Sequence, residues 1–166
     1  MSKKVATYGM LVALAFLLSY VETLIPFSFG ITGIKPGLAN LVTVAALFCM
    51  GERQACSVSL VRVVLAGFTF GSLSVMLYSL AGALLSLICM IGLKRFWGWG
   101  MVPVSMAGGI AHNLGQLLLA AWMVRTGALL YYFPVLFAAG AAAGFVVGLL
   151  GGLVAKRIRP VIGNGE

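Results

Sequence analysis

Long apolar stretches with very few acidic residues constrain this sequence more than any other feature. Of its 166 residues, 62% are hydrophobic and 8% are charged, and the three acidic ones are Glu22, Glu52 and Glu166. A soluble domain normally carries charges at about a quarter of its positions. Apolar helices of about 20 residues match instead the hydrocarbon core of a bilayer. The composition therefore predicts an all-α membrane protein rather than a soluble helical one.

Six helices are predicted from the apolar runs and from the Gly, Pro and charged breaks between them. Their approximate bounds are residues 5–25, 37–50, 55–68, 72–93, 101–124 and 129–155. Together they predict a six-transmembrane-helix bundle that forms a single integral membrane domain over residues 1–166. The second and third helices have about 14 residues each, or roughly 21 Å, which is short of a full span. A re-entrant hairpin buried in protein is the alternative for this pair.

The basic residues favour six crossings, because they fall on one side of that topology. With the N-terminus inside, eight basic residues lie in inner segments and two lie in outer ones. The inner set is Lys3, Lys4, Arg53, Lys94, Arg95, Lys156, Arg157 and Arg159, and the outer set is Lys35 and Arg125. Since Lys and Arg gather on the cytoplasmic side, both termini are predicted to be cytoplasmic. The formal net charge of +8 has the same explanation and does not indicate nucleic-acid binding.

Small residues recur at helical spacing in the first and last helices. Gly140, Gly144, Gly148 and Gly152 follow one another at four-residue intervals, and this pattern predicts close packing of helix six, because small residues let helix backbones approach in lipid. Ala6, Gly9 and Ala13 share one face of helix one. These three have two interpretations, packing within the chain or docking of a partner membrane helix.

Polar and ionisable residues at membrane depth are costly, so each one is a candidate for a site. On the predicted topology they share one depth, in the outer half of the bundle. The candidate substrate-binding residues are Glu22, Lys35, Asn40, Arg62, Tyr78, His112, Asn113 and Gln116. Several have structural alternatives: Glu22 with Arg62 as a buried ion pair, His112 as a core histidine, Tyr78 as interfacial packing and Lys35 as a snorkelling side chain. The surplus of positive charge predicts an anionic or acceptor-rich ligand.

Nothing in the sequence indicates catalysis. It has no pair of neighbouring acids, no nucleophile beside a base and no glycine-rich phosphate loop ahead of a helix. One histidine and no aspartate provide too few ligands for a metal site, and no cofactor is expected. Cys49, Cys56 and Cys89 form no CxxC pair and are interpreted as packing residues.

Four segments together resemble one bacterial membrane family. They are residues 19–22 (SYVE), 33–40 (GIKPGLAN), 78–82 (YSLAG) and 111–116 (AHNLGQ). The chain is similar, over nearly its whole length, to the Gx transporter family, which is often labelled heptaprenyl diphosphate synthase component I. That family in turn resembles the S components of energy-coupling factor (ECF) transporters, six-helix proteins of the bacterial cytoplasmic membrane that bind a vitamin or a related solute near the outer face.

The resemblance implies partners as well as a fold. S components work with a coupling membrane subunit and two ATPases, and small residues on their first helix dock the coupling subunit. That role would fall to Ala6, Gly9 and Ala13, whose spacing matches the family loosely. The synthase label conflicts with the composition, because prenyl chain elongation needs Mg²⁺ held by carboxylates. Without aspartate, and with Glu22 as its one glutamate at membrane depth, the chain is not expected to be an enzyme.

Three functions are consistent with these features. The favoured one is the substrate-binding membrane subunit of an ECF-type importer for a small anionic or aromatic solute, such as a vitamin or a quinone or isoprenoid precursor. The alternative is a noncatalytic membrane subunit associated with heptaprenyl diphosphate or menaquinone biosynthesis. A weaker third is a scaffold in a membrane redox complex, which would bind no small solute.

Overall fold

The computed structural model describes residues 2–24 and 37–163, with side chains for residues 5–24 and 37–157. This part of the chain is helical and has no strand, as the sequence predicts. Its elements are α1 (Ser2–Leu24), α2 (Leu38–Cys49), α3 (Glu52–Phe70), α4 (Leu73–Trp97), α5 (Met101–Val124), a short 3₁₀ helix, η1 (Gly127–Tyr132), and α6 (Phe133–Gly163). Of the predicted site residues, Lys35 lies outside the described residues.

Consecutive helices run in opposite directions between two ends of the bundle. The Gly51 end holds the α2–α3 turn and the α4–α5 link, and there Arg95 Nη1 lies 3.8 Å from Glu52 Oε2. The Gly71 end holds the α3–α4 turn and the link from α5 to η1. At that end the ring of Phe70 lies 5.2 Å from that of Phe16 and 4.8 Å from that of Tyr20.

Three helices are long and apolar enough to cross a bilayer, namely Val5–Leu24, Leu73–Trp97 and the segment Gly127–Arg157. Large apolar side chains on these segments are exposed, for example Leu17, Ile88 and Leu153. Since apolar exposure over such lengths suits lipid rather than water, the structure indicates a membrane protein. Six crossings and cytoplasmic termini remain predictions.

The lengths of α2 and α3 differ from those expected. α3 has 19 residues rather than 14, or about 28 Å, because it begins at Glu52 directly after Gly51, whose φ of 106° sets the turn. An acidic residue in the first turn is favourable there. The prediction that α3 is short is therefore wrong. α2 is shorter than predicted, with 12 residues, or about 18 Å.

α2 forms the centre of the bundle. Its residues from Leu41 to Leu47 are all buried, and α1, α3, α5 and α6 pack around it. A helix that is apolar on every side can be buried on every side. Thr43 belongs to this run, and its hydroxyl has no hydrogen-bond partner in the described part of the chain.

The last helix differs from its prediction at both ends. The segment Gly127–Tyr132 is a 3₁₀ helix, begun by Thr126, whose Oγ1 accepts a hydrogen bond from the Ala128 N–H at 3.3 Å. α6 then begins at Phe133 and continues to Gly163, beyond the predicted end at residue 155. Lysine and arginine have high helix propensity, which agrees with helical Lys156 and Arg157.

Glycines bring α6 against α5. A Cβ added at Gly144 would lie 2.5 Å from the Ser105 carbonyl oxygen, and one at Gly148 would lie 2.7 Å from Val102 Cα. Gly140 meets the backbone of Gly109 in the same way.

The fourth glycine of the row does not take part. Gly152 has no neighbour within 4 Å, whereas a Cβ at Gly151 would lie 3.3 Å from Met101 Sδ. A four-residue step advances about 40° beyond a full helical turn, so three steps move the row about 120° around α6. Eleven residues return to within about 20° of the starting face, which places Gly151 where Gly152 was expected.

Candidate functional site

Glu22 is buried near the C-terminal end of α1 and contacts the start of α2. Its Oε1 accepts a hydrogen bond from the Ala39 N–H at 3.4 Å. The first N–H groups of a helix have no partner within the helix, and Gly37, which precedes α2 with φ 72°, supplies no side-chain cap. A carboxylate there also favours the positive end of the helix dipole. Glu22 therefore caps α2 from a neighbouring helix.

Arg62 lies midway along α3 with only 8% of its surface exposed. The charge of Glu22 interacts favourably with that of Arg62. Its Nε has no hydrogen-bond partner among the described residues. A buried guanidinium with an unused donor is costly, and the described residues supply no acceptor for this one.

His112 and Gln116 form a second pair, one turn apart on α5. His112 Nε2 lies 3.2 Å from Gln116 Nε2, and both side chains pack against Gly82 of α4. A Cβ at Gly82 would lie 3.0 Å from His112 Cε1 and 2.9 Å from Gln116 Cγ. The glycine therefore makes room for these two polar side chains between α4 and α5.

Asn113 faces a different helix from its neighbour in sequence. Its Nδ2 donates a hydrogen bond of 2.7 Å to the Leu136 carbonyl oxygen in the first turn of α6. That carbonyl lies close to the start of the helix, and the amide thus links α5 to α6. The described contacts of Asn113 are structural rather than part of the His112–Gln116 pair.

Asn40 and Tyr78 are partly buried near the Gly71 end. Asn40 lies in the first turn of α2, where its backbone N–H donates to the Gly37 carbonyl oxygen at 2.9 Å. Tyr78 lies one turn before Gly82 on α4.

The three small residues of α1 face away from the rest of the chain. Ala6, Gly9 and Ala13 are exposed, and a Cβ at Gly9 would have no neighbour within 4 Å. Intramolecular packing, one of the two interpretations of this face, therefore does not apply to the described structure.

Lys94 of α4 contacts the C-terminal end of α2, a contact that the sequence did not predict. Its Nζ donates a hydrogen bond of 2.6 Å to the Leu47 carbonyl oxygen and lies 5.1 Å from the centroid of the Phe48 ring. The sequence placed Lys94 in a loop after a helix ending at Leu93, but α4 continues to Trp97. The position of Lys94 close to the end of a predicted helix could have indicated this contact, because lysines there can donate to the free carbonyl groups of a helix end.

No three His, Cys, Asp or Glu residues lie together in a way that would hold a metal within residues 2–24 and 37–163. The polar residues there offer hydrogen-bonding groups and the buried positive charge of Arg62.

Comparison with known protein families gives a match over most of the chain. The family described as heptaprenyl diphosphate synthase component I matches residues 11–154, which run from α1 to the last turns of α6. No curated protein and no solved structure matches the chain.

Proposed function

We propose, from the premise that the chain belongs to the family of heptaprenyl diphosphate synthase component I, that it is the substrate-binding membrane subunit of an ECF-type importer. Its solute is a small anionic molecule that binds in the half of the bundle near the Gly71 end. The observation that carries this proposal is the buried guanidinium of Arg62, whose Nε has no hydrogen-bond partner among the described residues.

The charge balance around Arg62 supports an anionic ligand. Glu22 is the one acid that interacts with Arg62, and its carboxylate also accepts the Ala39 N–H of α2. A guanidinium presents several donors in one plane and binds carboxylates or phosphates through two hydrogen bonds at once. A ligand with such a group would complete the coordination of Arg62.

Other residues at similar depth would provide the remaining contacts. His112 and Gln116 offer polar atoms between α4 and α5, and Asn40, Tyr78 and Lys35 are further candidates from α2, α4 and the segment before α2. Asn113 would support the site indirectly, because its hydrogen bond to the Leu136 carbonyl oxygen holds α5 against α6.

The exposed face of α1 supports the importer class. Ala6, Gly9 and Ala13 form a small, unobstructed surface, on which a coupling subunit can pack closely. The sequence has no phosphate-binding loop, so ATPase partners would supply the energy. In this proposal the chain is a single domain of the bacterial cytoplasmic membrane that crosses it six times with both termini inside.

A second candidate follows from the name of the family. It is a noncatalytic membrane component of heptaprenyl diphosphate or menaquinone synthesis, which would bind a prenyltransferase. The lack of aspartate excludes the usual aspartate-rich Mg²⁺ site from this chain, so that catalysis would belong to the partner.

Mass spectrometry of the small molecules that remain bound after purification tests the importer proposal. The wild-type protein should carry an anionic compound, and Arg62→Gln should lower its occupancy about tenfold or more, since a hydrogen bond to a charged group contributes about 1.5–3 kcal/mol. Arg53→Gln, which changes an exposed arginine at the Gly51 end, is the control and should retain the compound.

Partner binding separates the two candidates. Copurification with an ECF coupling subunit supports the importer. Copurification with a prenyltransferase whose product length changes when this chain is present, together with equal solute content in wild-type and Arg62→Gln protein, would replace it with the second candidate.

A further inference from the structure

An open groove lies at the C-terminal end of α5, away from the proposed solute site. Its volume is about 480 Å³, and it is lined by Trp122, Met123 and Arg125. This volume falls in the range of small-molecule sites. The groove faces outward, since 76% of the surface of Trp122 is exposed.

Arg125 has an unusual backbone for its residue type. Its φ of 52° makes it the one non-glycine residue with positive φ among those that the structure describes. It ends α5, and its N–H donates to the carbonyl oxygens of Ala121 and Trp122. Glycine or asparagine is the usual residue at such a helix end. An arginine that keeps this disfavoured backbone conformation is a candidate for a functional side chain.

The charge of Arg125 is unmatched where it lies. No hydrogen bond or ion pair joins its side chain to the side chains or backbone of residues 5–24 and 37–157. It is also the one described basic side chain at the Gly71 end, because Arg62 lies midway along α3 and the others lie at the Gly51 end. The positive charge at the mouth of the groove is therefore available to an anion.

The aromatic residues around the end of α5 favour a position at the depth of lipid headgroups. Tyr131 and Tyr132 of η1, the element that follows α5, are exposed like Trp122, and Trp and Tyr side chains are enriched at the interface between headgroups and hydrocarbon. A molecule bound in the groove would contact the guanidinium of Arg125 and the apolar surfaces of Trp122 and Met123.

We propose that Arg125, Trp122 and Met123 form a binding site for an anionic phospholipid. The phosphate accepts hydrogen bonds from the Arg125 guanidinium, and the first part of an acyl chain lies along Trp122 and Met123. Charge complementarity selects anionic over zwitterionic lipids. The apolar wall selects a lipid over a free phosphate ion.

Fluorescence quenching of Trp122 tests this site. The chain has three tryptophans, so the full-length Trp97→Phe, Trp99→Phe variant leaves Trp122 as the sole reporter. It is reconstituted in phosphatidylcholine vesicles that contain either brominated phosphatidylglycerol or brominated phosphatidylcholine in equal amounts. Quenching should favour the anionic lipid about fivefold, the factor that corresponds to about 1 kcal/mol for one basic side chain beside anionic headgroups.

Two substitutions at position 125 and one at a distant arginine test whether the lipid preference depends on the Arg125 side chain. Arg125→Gln should abolish the preference. Arg125→Gly should also abolish it while raising the thermal stability, because glycine relieves the positive φ. Arg95→Gln removes the same charge at the Gly51 end and should leave the preference intact.

Equal quenching by the two lipids would overturn the proposal, as would a preference that survives both substitutions of Arg125. Loss of the preference on adding inorganic phosphate at constant ionic strength would identify a small-anion site instead, and this outcome also overturns it. None of these results bears on Arg62 or on the solute.

Discussion

The ammonium group of Lys94 donates a hydrogen bond of 2.6 Å to the carbonyl oxygen of Leu47, and this contact joins the last turn of α4 to the last turn of α2. The last carbonyls of a helix have no partner within it, and a cation there complements the helix dipole. Glu22 makes the corresponding contact with the Ala39 N–H at the start of α2. The central helix is thus held at both ends by charged side chains of other helices.

Replacement of Lys94 by methionine should destabilise the protein. The substitution keeps an apolar stem but removes a charge-assisted hydrogen bond, for which a loss of about 1.5–3 kcal/mol is expected. Thermal unfolding in detergent measures the change. Arg95→Gln is the control, because its contact with Glu52 is long and exposed, and such pairs contribute at most about 1 kcal/mol. Equal effects of the two substitutions would argue against a capping role.

Glu22 should tolerate glutamine better than alanine. Glutamine keeps a side-chain oxygen that can accept the Ala39 N–H, whereas Glu22→Ala removes the cap and should lower stability by about 1–2 kcal/mol. Unfolding of both variants, followed by helical circular dichroism, measures the difference. If both lose the same stability, the charge of Glu22 beside Arg62 matters more than the cap.

Glycines 144 and 152 should respond in opposite ways to alanine. At Gly144 the added methyl group would lie 2.5 Å from the Ser105 carbonyl oxygen, and overpacking of this kind costs about 1–3 kcal/mol. At Gly152 nothing lies within 4 Å, and alanine should be neutral or stabilise α6 by up to about 1 kcal/mol. The melting temperatures of Gly144→Ala and Gly152→Ala test this, and a common shift would contradict the α5–α6 packing.

The Gly9 face of α1 should accept a large side chain without loss of stability, and if the proposed importer role is correct, the same change should weaken binding of the coupling subunit. Gly9→Leu meets open space, so the melting temperature should stay the same while copurification with the coupling subunit falls about tenfold. Gly92→Leu, at a position of α4 that is equally open, is the matched control and should leave association intact. If both variants lose binding of the coupling subunit, the loss is a general effect of a large added side chain and the Gly9 face is not the docking surface.

The sequence predicts the helices well because apolar periodicity and Gly or Pro breaks act locally. It also offers a buried ion pair of Glu22 and Arg62 as one interpretation, and the charges of these two residues do interact favourably. The direction in which a side chain points around its helix axis is harder to predict. His112 and Asn113 are neighbours in sequence but point about 100° apart, so one packs against Gly82 of α4 and the other reaches Leu136 of α6.

Contacts between distant helices could not be predicted for a further reason. Lys94 was counted with the loop charges because positive residues near helix ends usually face water or headgroups. The Leu47 carbonyl that accepts its hydrogen bond lies 47 residues earlier, and only the folded bundle brings the last turns of α2 and α4 together. The groove at Arg125 likewise depends on a backbone conformation that residue type disfavours.

The capping of α2 from both sides also sets an order for assembly. During synthesis, Glu22 is already present when α2 emerges, but Lys94 follows 47 residues after Leu47. Until α4 reaches its place, the carboxyl end of α2 lacks its counter-charge, and this helix of 12 residues, about 18 Å long, is too short to hold a transmembrane position alone. The C-terminal end of α2 is therefore capped only after α3 and α4 have been made, and α5 and α6, which also pack around α2, follow later still.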